Sequence, residues 1–285
     1  MDRVDEGRGL VLNAAAKPME RRFRRLRCRS NGVEAVAADS TFAFGRHTHD
    51  QFGIGLIDRG AQKSASGRGL VEAGAGDIIA VNPGEVHDGA PIGDDGRAWR
   101  MLYLDSTVVA ELAADIAEGQ SLTDGEFTQP TVRDERLAGL FGATFRAMTG
   151  CNGAWDGLEA DQTLLLLLGG LLQPRSVGRV PVHGGIASAR AMIDDDPVAV
   201  LTLTALANEA GLSRYQFLRG FARATGLTPH AYVMQRRIHR ARRLIDSGVS
   251  LVEASAQSGF SDQSHMTRLF VRNFGMAPGA YARIG

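Results

Sequence analysis

The chain has 285 residues, enough for two domains with an ample core. Its formal charge is zero, but unevenly spread: residues 187–285 hold 12 Arg, no Lys and 7 acidic residues, a net +5, so residues 1–186 carry −5. The two cysteines, Cys28 and Cys151, are far apart and exclude a disulfide framework or a cysteine-based metal cluster, which suits a reducing cytoplasm. The longest apolar run, Leu164 to Leu168 and on to Leu172 across Gly169-Gly170, is too short to span a bilayer. The N-terminus lacks the apolar core of a signal peptide. A soluble cytoplasmic protein without a membrane partner is expected.

In chain order, residues 1–20 have no period and read as a mobile arm. Residues 21–130 read as a β domain. Its first run, F-R-R-L-R-C-R from Phe23 to Arg29, fits an edge strand. Its arginines are better explained as a solvated guard against edge pairing than as nucleic-acid contacts. Short strand-like runs follow at Phe52 to Ile57, Gly69 to Glu72, Asp77 to Val81 and Trp99 to Leu104, separated by Gly-rich punctuation. Trp99, Met101 and Tyr103 alternate with Arg100, Leu102 and Leu104, as on a strand with two unlike faces. Gly67-Arg68-Gly69 and Gly74-Ala75-Gly76 read as hairpin turns, because no helix follows either to make a phosphate loop. Closely spaced strands of this kind suggest a small barrel or jelly roll.

Residues 131–172 should hold two helices. In the first, Asp134 to Met148, the residues Leu137, Leu140, Phe141, Thr144, Phe145 and Met148 form one stripe. The second, Leu158 to Leu172, is apolar nearly all round from Leu164. Such a helix needs more than one neighbour, so a homodimer interface is expected, with simple cover for the barrel as the alternative. Residues 173–185 hold two Pro and three Gly and read as a flexible linker. Ile186 to Ile193 should be a short helix.

The last part, 186–285, says the same thing twice. Thr202 to Tyr232 and Ser250 to Tyr281 align: Gly211-Leu212-Ser213 answers to Gly259-Phe260-Ser261, Arg219 and Phe221 to Arg268 and Phe270, and Gly226, Pro229 and Tyr232 to Gly275, Pro278 and Tyr281. One residue enters the second copy after its Gly-Phe-Ser. A repeat of this period is one supersecondary unit used twice. Thr202 and Ser250 sit where N-caps belong, Gly211 and Gly259 break the first helices, and Ser213 and Ser261 should cap the second. Ser213 with Gln216, and Ser250 with Glu253, have capping-box spacing. Phe217, Leu218 and Phe221, then Met266, Leu269 and Phe270, define buried stripes.

The free faces carry Arg214, Tyr215 and Arg219 in copy one, and Gln263, Ser264, Thr267 and Arg268 in copy two. A second helix with such a face fits the major groove. His265 is evenly placed between groove and first helix. A joining helix from Thr228 to about Ser247 would hold the copies about one turn of DNA apart. Its arginines, Arg236, Arg237, Arg240, Arg242 and Arg243, circle it; some must be solvated or paired, the rest free to bind phosphate.

The second copy reads A-x-x-x-x-G-F-S-D-Q-S-H-x-x-R-x-F, then G-x-x-P-x-x-Y, and resembles the DNA-binding domain of AraC-type transcription regulators. One departure is Val271, where the family often has Lys or Arg. Upstream, G-x-x-x-x-x-x-P-G-E-V-H from Gly76 to His87, with H-T-H at His47 to His49, resembles the cupin-type sensor half of such regulators. The resemblance implies an α+β multidomain chain: a cupin-like β-barrel or jelly roll with two following helices, then an all-α tandem helix-turn-helix domain. It implies double-stranded operator DNA and a small-molecule effector as partners, a homodimer, and RNA polymerase as a possible further partner.

His47 and His49, two apart, share one face of a strand. With His87 and Glu85 they are the candidate effector-binding residues. Three readings stand for the imidazoles: polar lining for a small ligand, a transition-metal site, or structural hydrogen bonding. The Glu that completes the set in enzymatic cupins is missing, and Asp50 or Glu85 would have to replace it. No nucleophile elbow, P-loop Lys or second Glu/His cluster supports catalysis, so a non-enzyme is expected. The rivals are a metal-dependent cupin enzyme with a DNA-binding tail, and an effector-independent regulator whose barrel is structural.

Overall fold

The computed structural model describes residues 22–28, 30–116, 125–150, 157–174 and 184–283. The expected arm, Arg29, Cys151 and most of the expected linker, with His183, lie outside them.

The first half is a β sandwich. Strands β1 (Arg22–Leu26), β2 (Val33–Ser40), β3 (Phe44–His47), β4 (Phe52–Arg59), β5 (Ala61–Ser66), β6 (Gly69–Gly74), β7 (Ile78–Val81), β8 (His87–Pro91) and β9 (Arg97–Leu104) lead into helix α1 (Ser106–Ile116), then the short β10 (Gly125–Phe127) and β11 (Thr131–Val132). A six-stranded sheet runs β1-β2-β9-β4-β7-β11 and faces a four-stranded sheet β3-β8-β5-β6, all pairs antiparallel. The jelly-roll expectation stands.

β9 is the central plank, paired with β2 and β4 on either side. Its two faces are unlike, as its alternation requires, yet both are covered. Leu102 and Leu104 join Ile54, Leu56 and Ile78 under the helices. Trp99 and Met101 point between the sheets, with Ala38, Ile57 and Ala73. Gly67-Arg68 turns a hairpin between β5 and β6. Gly74-Ala75-Gly76 does not: it carries the chain from the four-stranded sheet across to β7 in the six-stranded one, with Gly76 at φ 88°.

Helices α2 (Glu135–Thr149) and α3 (Gly157–Leu171) close the outer face of the large sheet. Asp134 caps α2, its carboxylate accepting from the Arg136 and Leu137 N–H groups. The stripe Leu137, Phe141, Thr144, Phe145 and Met148 is buried as its spacing requires. α3 buries Ala160, Leu164, Leu167, Leu168 and Leu171 in the same core and leaves Leu158 and Leu166 exposed. The start of the expected linker is instead a strand, β12 (Leu172–Pro174), paired with β10.

The second half is helical: α4 (Gly184–Asp195), α5 (Leu203–Glu209), α6 (Arg214–Thr225), α7 (Pro229–Asp246), α8 (Leu251–Gln257), α9 (Gln263–Phe274) and α10 (Pro278–Ala282). Two separate cores flank α7. Phe217, Phe221 and Tyr232 anchor one with Ile186 and Ile193 of α4; Met266, Phe270 and Tyr281 anchor the other.

Thr202, Ser213, Thr228 and Ser250 cap their helices as expected, and the Ser213–Gln216 box is complete. At Ser250 the hydroxyl accepts from the Glu253 N–H. Two expectations fail. The cap of α9 is Asp262, not Ser261, because the extra residue of the second copy shifts the helix start by one. Leu218 is exposed, turned away from the stripe of Phe217 and Phe221.

α7 spans 18 residues, about 27 Å at 1.5 Å per residue. Phe270→Ala should lower the stability of the helical half by about 3–5 kcal/mol, since a fully buried ring leaves a cavity; urea unfolding followed by far-UV circular dichroism measures it.

A candidate nucleic-acid interface and a candidate ligand cavity

The fronts of α6 and α9 are free. Arg214, Tyr215, Arg219, Gln263, Ser264 and Arg268 are exposed and Thr267 is half-buried. Arg219 lies over the Tyr215 ring, 5.7 Å from its centroid. All sit within the first two turns of helices whose starts are fixed by Ser213 and Asp262. His265 turns the other way: its ring stands edge-on to Phe260 at 5.4 Å, close to the Ser261 hydroxyl.

The arginines of α7 are committed within the molecule. Arg236 pairs with Asp194 at 2.9 Å. Arg237 donates to the Pro197 and Gly259 carbonyls, each 2.7 Å, and Arg240 to the Gln257 carbonyl at 3.0 Å. Arg242 and Arg243 reach the β sandwich. None is the free phosphate clamp that the sequence left open.

Between the two sheets lies a cavity of about 130 Å³. Phe44, Ile79, Trp99 and Met101 form its apolar wall, and Phe274, Met276 and Tyr281 of the helical half close it. At one side His47, His49 and His87 meet, with ring centroids 4.4–5.2 Å apart. β3 and β8 set this up: His47 and His87 are direct cross-strand partners. Burial first, and then the neighbouring imidazoles, hold His47 down at about 3 and His49 well below its ordinary value. Burial also lowers His87, against a hydrogen bond to the Glu85 carbonyl and the Glu85 and Asp88 charges. All three rings are therefore neutral near pH 7.

Arg97 lines the same cavity, 2 % exposed. Its guanidinium lies 4.5 Å over Trp99, donates to the Gly89 carbonyl, and meets no carboxylate among the described residues.

The two acidic residues considered for the imidazole cluster are turned elsewhere. Glu85 lines the cavity, but its carboxylate accepts from the Asn82 side chain at 3.0 Å and faces Arg68 at 3.5 Å. Asp50 faces α7. Neither joins the three imidazoles.

Sequence reasoning missed the seam between the halves. Gln235, His239, Arg242 and Asp246 recur at i, i+4, i+7 and i+11 along one side of α7, a polar stripe that helical spacing alone could have flagged. The first three grip the segment 47–51. Thr48 N–H donates to Gln235 at 3.3 Å, and the Thr48 carbonyl accepts from His239 at 2.8 Å. Arg242 pairs with Glu34 at 2.7 Å and Asp50 at 3.0 Å and donates to Gln51 at 2.7 Å. Arg243 adds 2.7 Å to Asp50.

Burial opposes the charge on Arg242, but Glu34, Tyr281, Asp50 and Asp246 outweigh it and raise its pKa. Arg25 of β1, expected to be solvated, pairs with Asp246 at 2.8 Å and covers the Tyr281 ring at 4.2 Å. The Tyr281 hydroxyl lies 2.9 Å from Asp246 and 3.2 Å from Glu34. The first repeat is tied in through Arg46, which donates to the Gly226 carbonyl at 3.2 Å, and through Val86, buried in its core.

Known proteins agree with this division. Residues 30–168 match the AraC-like ligand binding domain model and residues 206–284 a helix-turn-helix domain model. The HTH-type transcriptional regulator YbfI of Bacillus subtilis is 28% identical over 230 residues, 78% of this chain and 81% of that protein. The MmsAB operon regulatory protein of Pseudomonas aeruginosa is 26% identical over 210 residues, 73% of this chain and 66% of that protein. The crystal structure of ToxT from Vibrio cholerae superposes with a TM-score of 0.56 at 12% identity, covering 90% of this chain and 98% of ToxT, a likeness of fold. Among the described residues no helix is long and apolar enough to cross a membrane.

The seam should be acid-sensitive. Burial holds His239 at about 4, against the pull of Asp50 and the Thr48 carbonyl and together with the push of Arg242 and Arg236. Between that value and the 6.5 of an exposed imidazole, the unfolded chain takes up a proton that the folded chain refuses. The His239 contribution is intact above about 6.5 and is lost as pH falls toward 4. The cavity histidines, also lowered, act in the same direction. Urea midpoints should drop across this window, and less steeply in His239→Gln.

Proposed function

The chain belongs to the AraC family of transcription regulators, and on that footing we propose that it reads operator DNA with α6 and α9 under the control of a small molecule held in the sandwich cavity. The observation that carries this reading is the seam. One short segment, 47–51, lines the cavity with His47 and His49 and grips α7, the rod between the two helix-turn-helix units, through Thr48, Asp50 and Gln51.

In the groove reading, Arg214, Arg219 and Arg268 donate to guanine edges or phosphates, Gln263 pairs with adenine, and Tyr215, Ser264 and Thr267 complete the contact. Their exposure at the N-terminal turns of α6 and α9 supports it. His47, His49 and His87 line the effector site. Glu85 belongs to its wall and fixes the 82–85 turn through Asn82. A ligand shifts the regulator only by preferring one arrangement of segment 47–51 over another. ToxT has been crystallised with an unsaturated fatty acid bound; here the cavity suits a small molecule with an apolar body and a polar end facing the histidines.

The cavity binds rather than turns over its ligand. The two carboxylates considered for the cluster, Asp50 and Glu85, are engaged elsewhere, which supports a non-enzyme over the metal-dependent enzyme. The exposed leucines of α3, Leu158 and Leu166, support a homodimer built there, in the cytoplasm where operators are reached. Contact with RNA polymerase would follow from operator binding and has no assigned surface.

Gel shifts on the DNA upstream of the chain's own gene test the reading. A specific complex should survive non-specific competitor, contain two chains, and weaken as salt rises. Arg219→Ala and Arg268→Ala should each weaken it by about 1–3 kcal/mol, roughly 5- to 150-fold. Unchanged affinity in both variants would remove the groove assignment.

A further inference from the structure

Arg97, Trp99, Met101 and Tyr103 alternate along the inner face of β9, and all four line the cavity. Arg97 is the misfit among them. It is 2 % exposed, yet its Nε and Nη1 find no acceptor among the described residues, and Nη2 donates to the Gly89 carbonyl at 3.3 Å. The Trp99 face lies 4.5 Å away, and a ring quadrupole offsets only part of a buried charge. Burial draws its pKa down to about 10, so the guanidinium is still charged at neutral pH.

Arg242 shows what such a group ordinarily requires. It is buried to a similar degree and lies between Glu34 and Asp50. An ion withdrawn from water is destabilising unless a counter-charge meets it. The described wall of the cavity has none to spare for Arg97. Glu34 is taken by Arg242, Glu85 by Asn82 and Arg68, and Asp88 accepts from the Ala65 N–H at 2.6 Å.

We propose that Arg97 binds the carboxylate of a small organic acid whose apolar body, one ring or a short branched chain, fills the space between the sheets. This deepens the reading of the cavity as the sensing site and rests on it. The free N–H groups of a guanidinium match the oxygens of a carboxylate in geometry as well as charge. Phe44, Ile79, Trp99, Met101 and Phe274 select an organic acid over an inorganic anion. Size limits the body. A cavity of about 150 Å³ takes one benzene ring, so the space of about 130 Å³ here suits a single ring and not a long acyl chain. Gly89 is two residues along β8 from His87, about 7 Å. Arg97 and the histidines therefore share the β8 side of the cavity, and the acid's charged end lies there.

The test titrates the full chain by calorimetry, with thermal melts alongside, using benzoate, 4-methylpentanoate, benzamide, dodecanoate and inorganic phosphate. At least one of the two small acids should bind once per chain and raise the melting midpoint. Benzamide, which has the shape of benzoate without its charge, should bind at least 100-fold more weakly than the better acid, and phosphate and dodecanoate weaker still. Arg97→Met should lose at least 100-fold in affinity for the better acid, the scale for removing one side of a buried charge pair. Lys63→Met, exposed on β5 and outside the cavity, should bind as the parent does.

Stability separates recognition from a structural role. Without ligand, Arg97→Met should melt at or above the parent, because it removes a charge that nothing offsets. A variant that melts well below the parent or fails to fold assigns Arg97 to the scaffold and overturns the proposal. So does the failure of both small acids to bind, equal binding of benzamide, preference for dodecanoate or phosphate, or binding that survives Arg97→Met. Operator binding by the ligand-free chain is a separate readout: if it persists while both acids are ignored, this proposal falls and the regulator reading stands.

Discussion

The guanidinium of Arg242 is the constraint on which the arrangement of the two halves depends. It is 7 % exposed and lies between Glu34 of β2 and Asp50 beside the cavity. A buried ion pair adds little over a well-packed apolar contact, but it tolerates no partial loss: stripping one partner leaves an uncompensated charge, a penalty of about 3–5 kcal/mol. Such a contact is poor glue and good registration. It fixes where along α7 the sandwich sits, and α7 in turn fixes the distance between α6 and α9. His239 and Gln235 repeat the constraint one and two turns back toward the start of the helix.

Around that contact the molecule divides its labour. The large sheet is buried on one face by α1, α2 and α3, and that core does not involve the helical half. The inner face is left for a cavity, finished by Phe274, Met276 and Tyr281 from the second repeat. A ligand there meets both halves at once. The exposed side chains of α6 and α9 proposed for the groove lie on the opposite side of their helices from Phe217, Phe221, Met266 and Phe270. The seam therefore leaves them open to solvent.

How legible each part was in the sequence follows from how local its cause is. The helix-turn-helix units were readable almost to the residue, because caps such as Thr202 and Ser213 and stripes such as Phe217 and Phe221 act within a few positions. The exceptions are instructive. The extra residue in the second copy moved the cap from Ser261 to Asp262. Leu218 is apolar yet exposed, and its spacing from Phe217 and Phe221 does not distinguish it from a core position.

The sandwich was legible as a class, but β2, β3, β5 and β8 were not seen. β5 reads A-Q-K-S-A-S and has no apolar alternation of its own; its place comes from pairing with β6 and β8. The histidine site was half legible. His47 and His49 do meet, but not as neighbours on one strand face, since β3 ends at His47 and His49 lies in the segment beyond it. His87 is brought to them by the β3–β8 pairing. The seam was least legible, since Arg242 and Glu34 are 208 positions apart. Of the five arginines circling α7, spacing said only that some were solvated or paired and left the rest for phosphate; all five have partners within the molecule.

The most direct test of the seam is a double-mutant cycle on Arg242→Met and Glu34→Gln, read as the free energy of urea unfolding of the full chain. The account requires the two changes to be strongly non-additive, with a coupling of about 1–3 kcal/mol. If they add to within about 0.5 kcal/mol, the sandwich does not hold α7 through this contact, and the route from cavity to DNA face is lost with it.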